Sequence, residues 1–207
     1  MTKKEKLAEI KKRMEADKSL PLASGGSRLV FGDGNPDAQI LMIGEGPGYW
    51  EDQQGLPFVG NAGKLLDQLL ATAHLSRNDT VYITNVVHHR PPGNRDPEPS
   101  EIAAYGRYLD EMIEVIAPAA IVTLGRFSMA KFLPGAKISR DHGRPVTMPW
   151  RGREIVVVPM YHPAAALRSG EVMLAEREDF ASLESGLKSL VDKRSETTKE
   201  SEQMHLV

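Results

Sequence analysis

The sequence predicts an α/β fold of three layers, in which a central, mostly parallel four-stranded sheet lies between two layers of helices. Four short and almost entirely apolar runs alternate along the chain with amphipathic helical patterns. Such continuous apolar runs are typical of parallel strands, because helices cover both faces of a parallel sheet. The length of 207 residues, of which 41% are hydrophobic and 26% are charged, suits one domain with a single core.

The elements follow in chain order from this periodicity. Residues 1–27 are predicted to form an amphipathic helix (1–18) and a loop that pack on the main domain, residues 28–191. Polar residues dominate 192–207, which are expected to form a disordered tail. The predicted strands are residues 40–43, 81–84, 120–124 and 155–158, the last ended by Pro159. The other predicted helices are residues 62–73, 100–116 (capped by Ser100, with Glu101 exposed), 127–132 and 174–191.

The composition excludes several classes of protein. No apolar run approaches the ~18 residues that span a bilayer, and residues 1–6 are charged where a secretory signal is apolar. We therefore expect a cytoplasmic protein with no membrane partner. The chain has no cysteine, so it supplies no disulfide, no thiolate zinc ligand and no cysteine-bound iron–sulfur cluster. The net charge of -2 by itself indicates no polyanionic partner.

Glycine-rich and polar segments follow the predicted strands, at the sheet edge where doubly wound domains bind ligands. Each segment alone has an ordinary interpretation, such as a tight turn at the glycines or a cap at the histidine. A dinucleotide loop is disfavoured because Tyr49 stands where its third glycine belongs. A metal site is also disfavoured, because the adjacent His88 and His89 point to opposite sides of an extended chain. No metal is predicted.

Seven sequence blocks occur in order and span about residues 28–190. The blocks are Phe31-Gly32-Asp33-Gly34-Asn35-Pro36-Asp37-Ala38, Gly44-Glu45-Gly46-Pro47-Gly48, Gly55-Leu56-Pro57-Phe58-Val59-Gly60-Asn61-Ala62-Gly63, Tyr82-Ile83-Thr84-Asn85-Val86-Val87, Arg90-Pro91-Pro92-Gly93-Asn94-Arg95, Val122-Thr123-Leu124-Gly125-Arg126 and Tyr161-His162-Pro163. Together they resemble family 4 of the uracil-DNA glycosylases. The resemblance implies a DNA repair enzyme that flips uracil out of DNA and hydrolyses its N-glycosidic bond, leaving an abasic site. Its expected partners are single- and double-stranded DNA that contains uracil, and the expected state is a monomer.

Three residues are expected to recognise the base. The Asn85 amide offers an acceptor for N3–H and a donor for O4 of uracil, whereas cytosine presents the opposite polarity and leaves these groups unpaired. The resemblance implies that Phe58 stacks on the flipped ring. Glu51 is expected to be the wall that excludes the methyl group of thymine, since Gly48 has no side chain to do so.

The resemblance also implies that Glu45, His162 and Asn85 act in catalysis, the last of them in addition to binding the base. Glu45 is assigned to the cationic sugar and to the attacking water, and His162 to a hydrogen bond with O2 of the departing uracil. The backbone N–H groups of Gly44 and Gly46 approach O2 because no side chain intervenes.

DNA contacts are expected from residues around this site. Leu167 and Arg168 would enter the gap left by the flipped base, and Arg90 and Arg126 would contact phosphates. Residues 119–168 carry eight Lys and Arg against two acidic residues, whereas residues 96–118 carry six acidic residues and one Arg. By charge alone these segments indicate two solvated faces. Beside the motifs, the first segment is interpreted as a basic face for DNA.

The chain departs from the family at the four cysteines that bind a 4Fe–4S cluster. Their places fall within residues 16–20, at His89 and at Tyr105, and none supplies a thiolate. No cofactor is therefore predicted, and packing of Tyr105 against Pro21 and Leu22 is expected to replace the cluster.

Two rival functions and one rival chemistry remain open. A non-catalytic reader of uracil in DNA would keep Phe58 and Asn85 without Glu45 and His162, and a nucleotide enzyme would lack the wedge and the basic face. A related branch of the superfamily bonds a loop histidine to the abasic sugar and carries a basic insertion there. The present loop has no such insertion, so hydrolysis is expected.

Overall fold

The computed structural model describes residues 1–183, which contain a six-stranded sheet with helices on both faces. The strands are β1 (Asp33–Gly34), β2 (Ile40–Gly44), β3 (Val81–Asn85), β4 (Ala120–Leu124), β5 (Val146–Trp150) and β6 (Arg153–Met160). Their order in the sheet is β1-β3-β2-β4-β6-β5. The four inner strands are parallel and are those predicted, whereas β1 and β5 pair antiparallel at the two edges.

The prediction of a four-stranded sheet is therefore wrong, because it omits the two edge strands. Strand β1 has only two residues, and β5 is largely exposed, so neither contains a continuous apolar run. A two-residue turn joins β5 to β6, and both turn residues, Arg151 and Gly152, have positive φ (46° and 82°) as tight hairpins require. Strand β6 also continues through Pro159, which keeps its register with Thr123.

The helices match the predicted positions, with additions. They are α1 (Lys3–Ala16), α2 (Tyr49–Gln54), α3 (Asn61–Thr72), α4 (Pro99–Ile116), α5 (Arg126–Phe132), α6 (Ile138–Asp141) and α7 (Pro163–Ala166). Residues 170–183, the last described, are also helical; the second half of the predicted helix 174–191 and the predicted tail lie outside the described residues. No helix within residues 1–183 is long and apolar enough to cross a bilayer.

Helix α4 begins with Pro99, so the prediction that Ser100 caps it is wrong. Proline suits the first helical position because its missing N–H would have no partner there. Glu101 was expected to be exposed but is buried: it accepts the Glu98 N–H (2.7 Å) and two bonds from Arg95 (2.6 and 2.9 Å). The hydrogen bonds from Arg95 lower the pKa of Glu101. This pair anchors the loop before α4.

The two faces of the sheet carry separate apolar cores. Successive residues of each strand point to opposite faces, so neighbours such as Leu41 and Met42 belong to different cores. Helices α1 and α4 cover one face, and α3 covers the other together with residues from 170–183. The first core includes Leu7, Ile10, Met14, Leu41, Ile43, Leu109, Met112 and Ile121. The second includes Met42, Leu66, Leu69, Leu70, Ile83, Val122, Leu124 and Phe180.

We predict a pH-dependent stability from Glu176, which is fully buried with no partner for either carboxylate oxygen among the described residues. Burial, with a smaller contribution from Asp179, raises the pKa of Glu176 to about 8. Between about pH 4.5 and 8, the carboxyl of Glu176 is deprotonated in the unfolded chain and protonated in the folded chain. The free energy of unfolding should therefore fall as pH rises, by up to about 1.4 kcal/mol per pH unit from this group.

Urea unfolding at several pH values measures this slope. Glu176→Gln binds no proton and should give a flatter dependence across the same window. Glu171→Gln changes an exposed carboxyl of the same helix and should keep the wild-type slope. Equal slopes in Glu176→Gln and the wild type would contradict the prediction.

Candidate active site

A cavity of about 500 Å³ opens at the carboxyl ends of the parallel strands. Parallel register places Gly44 opposite Asn85, at the ends of β2 and β3. Strands β4 and β6 lead into Gly125 and Tyr161 at the same edge. The sequence-predicted residues that line the cavity are Glu45, Gly46, Glu51, Phe58, Asn85, Arg126, His162 and Arg168. The topology therefore brings together residues that lie more than 100 positions apart in the chain.

Gly44 does not itself line the cavity, but it makes room for two residues that do, Asn85 and Phe58. A Cβ on Gly44 would lie 2.5 Å from Asn85 Oδ1 and 2.6 Å from the Phe58 ring, so only glycine leaves room for both side chains. Asn85 is 1% exposed, and its Oδ1 has no hydrogen-bond partner among the described residues. A buried acceptor without a partner is unfavourable by about 1–3 kcal/mol. The site is therefore ready for a ligand donor.

Phe58 adopts a positive φ of 53°, which the surrounding residues maintain. Its carbonyl and that of Pro57 accept hydrogen bonds from the Arg77 guanidinium (2.8 Å each). A Cβ on Gly63 would collide with the Phe58 backbone, so α3 approaches this turn closely. Non-glycine residues rarely hold such a φ outside an over-determined site. The ring is fixed by its backbone before any ligand binds.

Glu51 fixes the same turn from the other side. Its carboxylate accepts the backbone N–H groups of Val59 and Gly60 (2.8 Å each) and of Gly48 (3.1 Å). Glu51 is predicted to be a wall of the base pocket, and the Glu51 side chain lines the cavity. The clamp on three N–H groups was not anticipated, because nothing local in the sequence joins residues eight and nine positions apart.

We predict that Glu51→Ala lowers the free energy of unfolding by about 2–3 kcal/mol, because three N–H groups lose a charged acceptor. Glu51→Gln should lose less, since its carbonyl oxygen can still accept from Val59 and Gly60. Urea unfolding measures both variants, and Glu171→Ala, at an exposed position, is the control. If Glu51→Ala is as stable as the wild type, the hydrogen bonds of Glu51 do not contribute to the stability of the fold.

His162 both caps a helix and faces the cavity. Its Nδ1 accepts the Ala164 N–H (3.1 Å) at the start of α7, so the neutral ring carries its proton on Nε2. Burial lowers the pKa of His162 to about 4, which keeps the imidazole neutral at pH 7. Its ring stacks on Phe58 at 5.6 Å between centroids. The capping interpretation and the ligand interpretation of this histidine are therefore compatible.

Glu45 is half-buried, and burial raises its pKa. Asp96 raises the pKa further, while Arg126 opposes it. Asp96 and Arg126 form an exposed ion pair, and both line the cavity. Asp96 and Tyr161 also line the cavity, although neither was predicted to do so. Asp96 directly follows the motif that ends at Arg95, and Tyr161 begins the motif of His162, so their positions beside motifs are the sequence signal for them.

The residues expected to contact DNA lie around the mouth of the cavity. Leu167 follows α7 and is 49% exposed. It does not line the cavity itself, but the next residue, Arg168, does. Arg90 lies outside the lining, where its Nε donates to Asn94 Oδ1 (2.6 Å).

The predicted basic face over residues 119–168 is wrong in part. Lys131 and Arg151 form ion pairs with Asp110, and Arg151 also pairs with Glu114. Both of these positive charges are therefore neutralised by carboxylates of helix α4. The two oppositely charged segments of the sequence neutralise each other where they meet in the fold.

The paired histidines are buried structural residues. His88 Nε2 lies 3.1 Å from Thr84 Oγ1, and burial lowers the pKa of His88 to about 3. His89 Nδ1 lies 2.7 Å from the Tyr105 hydroxyl, and burial lowers its pKa too. Neither histidine lines the cavity.

Two of the four positions at which the resemblance places cluster cysteines hold His89 and Tyr105, which are hydrogen-bonded to each other. Leu22 belongs to the same buried apolar cluster as Tyr105, as expected, whereas Pro21, the other residue expected to pack on Tyr105, is exposed. Within residues 16–20, where the resemblance places the other two cysteines, Asp17 accepts a hydrogen bond from the Tyr108 hydroxyl (2.7 Å). These residues do not fit an iron–sulfur cluster. Within residues 1–183, no group of three or more His, Cys, Asp or Glu side chains suits a metal ion.

We predict a colourless protein without stoichiometric iron or sulfide, because thiolate ligands are absent from the sequence. Visible absorption and chemical iron analysis of the purified protein measure this. A bound cluster, with iron near four atoms per chain, would contradict the prediction.

A buried amide, a fixed aromatic ring and a neutral imidazole at one sheet edge define a site for a flat polar ring. The model of the uracil DNA glycosylase superfamily matches residues 31–183. The Type-4 uracil-DNA glycosylase of Sulfurisphaera tokodaii is 42% identical over 179 residues, covering 84% of this chain and 81% of that protein. That of Thermotoga maritima is 40% identical over 189 residues (90% and 97%), and that of Saccharolobus solfataricus 45% over 166 residues (77% and 76%). The chain belongs to the uracil DNA glycosylase superfamily.

Proposed function

We propose that this protein excises uracil from DNA, releasing the free base and leaving an abasic site. The observation that carries the proposal is the buried, unpartnered Oδ1 of Asn85 beside Phe58 and a neutral His162. Relatives named Type-4 uracil-DNA glycosylase, at 40–45% identity over most of the chain, support it.

Recognition begins with extrusion of the base from the helix or strand. In the cavity, uracil N3–H donates to Asn85 Oδ1, and the Asn85 amide donates to O4. Phe58 stacks on the ring, and Glu51, which lines the cavity, is the wall against the methyl group of thymine. Cytosine would face the amide with a lone pair at N3 and an amino group at C4. The buried amide would then be unpaired at both atoms.

The chemical step breaks the bond between uracil N1 and the sugar C1′. The electron pair of this bond moves to uracil, and negative charge develops on O2. His162 Nε2–H donates to O2, as do the backbone N–H groups of Gly44 and Gly46, and these bonds strengthen in the transition state. Glu45 faces the cationic sugar and accepts a proton from the water that attacks C1′. Its raised pKa makes it a better base.

The remaining residues hold DNA around the cavity. Exposed Leu167 fills the space that the flipped base leaves, with Arg168 beside it. Arg126 turns from Asp96 to a phosphate, and Arg90 contacts a phosphate beyond the cavity. The protein acts as a cytoplasmic monomer on single- and double-stranded DNA, without an iron–sulfur cluster.

The test is incubation with single- and double-stranded oligonucleotides that contain one uracil, followed by alkali, which cleaves abasic sites. Cleavage at the uracil position and release of free uracil are expected. Binding without cleavage would instead favour the non-catalytic reader. Oligonucleotides with cytosine at the same position are the specificity control.

The same reactions on a denaturing gel distinguish hydrolysis from covalent capture. A histidine must lie about 3–3.5 Å from C1′ to attack it, and neither His88 nor His89 lines the cavity. No heat-stable shifted band is therefore expected. A shifted band that disappears in His88→Ala or His89→Ala would overturn the hydrolytic mechanism.

A further inference from the structure

Two exposed aromatic side chains stand at the rim of the cavity and have no role in the site described above. Tyr49 and Trp50, the first residues of α2, are 50% and 56% exposed. The preceding Pro47 and Gly48 line the cavity, so α2 begins at its edge. Burial of aromatic rings is a large stabilising contribution, and an adjacent pair left in solvent beside a cavity indicates a contact surface.

The Trp50 indole is held by its neighbours. The Tyr49 and Trp50 rings meet edge to face, with centroids 5.2 Å apart and planes at 80°. A Cβ on Gly60 would lie 3.4 Å from Trp50 Cδ1, so the edge of the indole lies beside Gly60. Tyr49 lies under the Arg90 guanidinium at 5.2 Å, and Arg90 is tied to Asn94. An aromatic surface ordered in advance loses little entropy when it binds.

We propose that Tyr49, Trp50 and Arg90 form a stacking platform for an unpaired base that neighbours the uracil in single-stranded DNA. This proposal rests on the proposed function, because it takes the cavity as the place of the flipped uracil. Every base has a flat π face that stacks on an indole, whatever its sequence. Arg90 supplies positive charge for the adjoining phosphate. Asn94 lines the cavity, so the platform is continuous with it.

The geometry favours an unpaired base over other partners. In a duplex, each base is covered on both faces by its stacked neighbours, so it has no free face for Trp50. A stable protein interface buries on the order of 800 Å² per partner around an apolar centre. The rest of α2 is polar (Glu51, Asp52, Gln53 and Gln54), which leaves an apolar area of about two rings. That area matches one nucleotide.

The first test measures binding of an end-labelled single-stranded thymidine oligonucleotide, which contains no uracil and requires no excision. Trp50→Ala is expected to weaken binding by roughly 5- to 100-fold, and Trp50→Phe to restore part of it. Leu174→Ala removes another exposed apolar side chain (63% exposed) and should bind like the wild type. Unchanged affinity in Trp50→Ala, in a variant that unfolds at the wild-type urea concentration, would overturn the platform.

The second test uses tryptophan emission. The chain has two tryptophans, so in Trp150→Phe the signal comes from Trp50 alone. Adding the thymidine oligonucleotide should quench this emission, and the same sequence as a duplex should quench it much less. Equal quenching by both, or none by either, would contradict stacking of an unpaired base.

Excision assays separate this proposal from the function of the site. If the wild type releases no uracil while Trp50→Ala still weakens thymidine binding, the aromatic pair binds unpaired bases, but the proposed function fails, and with it the position of the platform beside a flipped uracil. Suppose instead that the wild type releases uracil, and that Trp50→Ala matches it both in binding single-stranded DNA and in excising uracil from it. The platform then fails and the proposed function stands.

Discussion

Asn85→Asp is expected to lower the single-turnover rate of uracil excision by at least about 100-fold. Aspartate presents two acceptors, so the donor to O4 is lost and a carboxylate is placed where the native side chain is 1% exposed. Loss of a buried hydrogen bond together with an unpaired polar group is worth about 3 kcal/mol, which is about a hundredfold in rate. The measurement is the rate at enzyme concentrations well above that of the oligonucleotide.

Asn78→Asp makes the same chemical change at an exposed position and should excise uracil at the wild-type rate. Cytosine-containing oligonucleotides show whether the amide also provides selectivity, since the aspartate no longer opposes the cytosine amino group. If Asn85→Asp keeps both the uracil rate and the rejection of cytosine, Asn85 has no part in recognising the base.

His162→Ala is expected to slow single-turnover excision by about 10²–10³-fold, while affinity for uracil-containing DNA changes little. The Nε2–H bond to O2 is weak in the ground state and strengthens as charge develops, so its loss falls on the rate and not on binding. Because the pKa of His162 is lowered to about 4, its neutral form is present throughout pH 5–8. Titration of this residue should therefore produce no change in rate across that range.

The helix cap complicates the interpretation of alanine, because His162 Nδ1 also accepts the Ala164 N–H. His162→Ser separates the two functions: its hydroxyl can cap α7, but it cannot reach O2. Serine should recover the stability that alanine loses, about 0.5–2 kcal/mol, and leave excision as slow as in alanine. A serine variant that recovers the excision rate along with its stability would assign His162 to structure alone.

The inner sheet and the cavity residues were predictable because their signals are local. A strand buried on both faces must be a continuous apolar run, which identified all four inner strands. The end of each parallel strand also fixes the edge at which its next residues lie. This rule predicts that Glu45, Asn85 and His162 lie together, and all three line the cavity.

Edge strands escaped prediction because they lack that constraint. Strand β5 borders solvent, so its residues need no apolar pattern, and only pairing with β6 defines it. The charge segments were misinterpreted for a related reason. Composition records how many charges a segment carries, but not that Lys131 and Arg151 fold against Asp110.

The sequence by itself determined the layered α/β class, the position of polar residues directly after the inner strands, and the absence of thiolate ligands. Only the tertiary structure decided which side chains support one another: Glu51 on the turn of Phe58, and His89 on Tyr105. These partners are 8 to 16 positions apart, beyond the period of any helix or strand. Their pairing follows from the packing of whole elements, which brings buried polar groups to the few partners within reach.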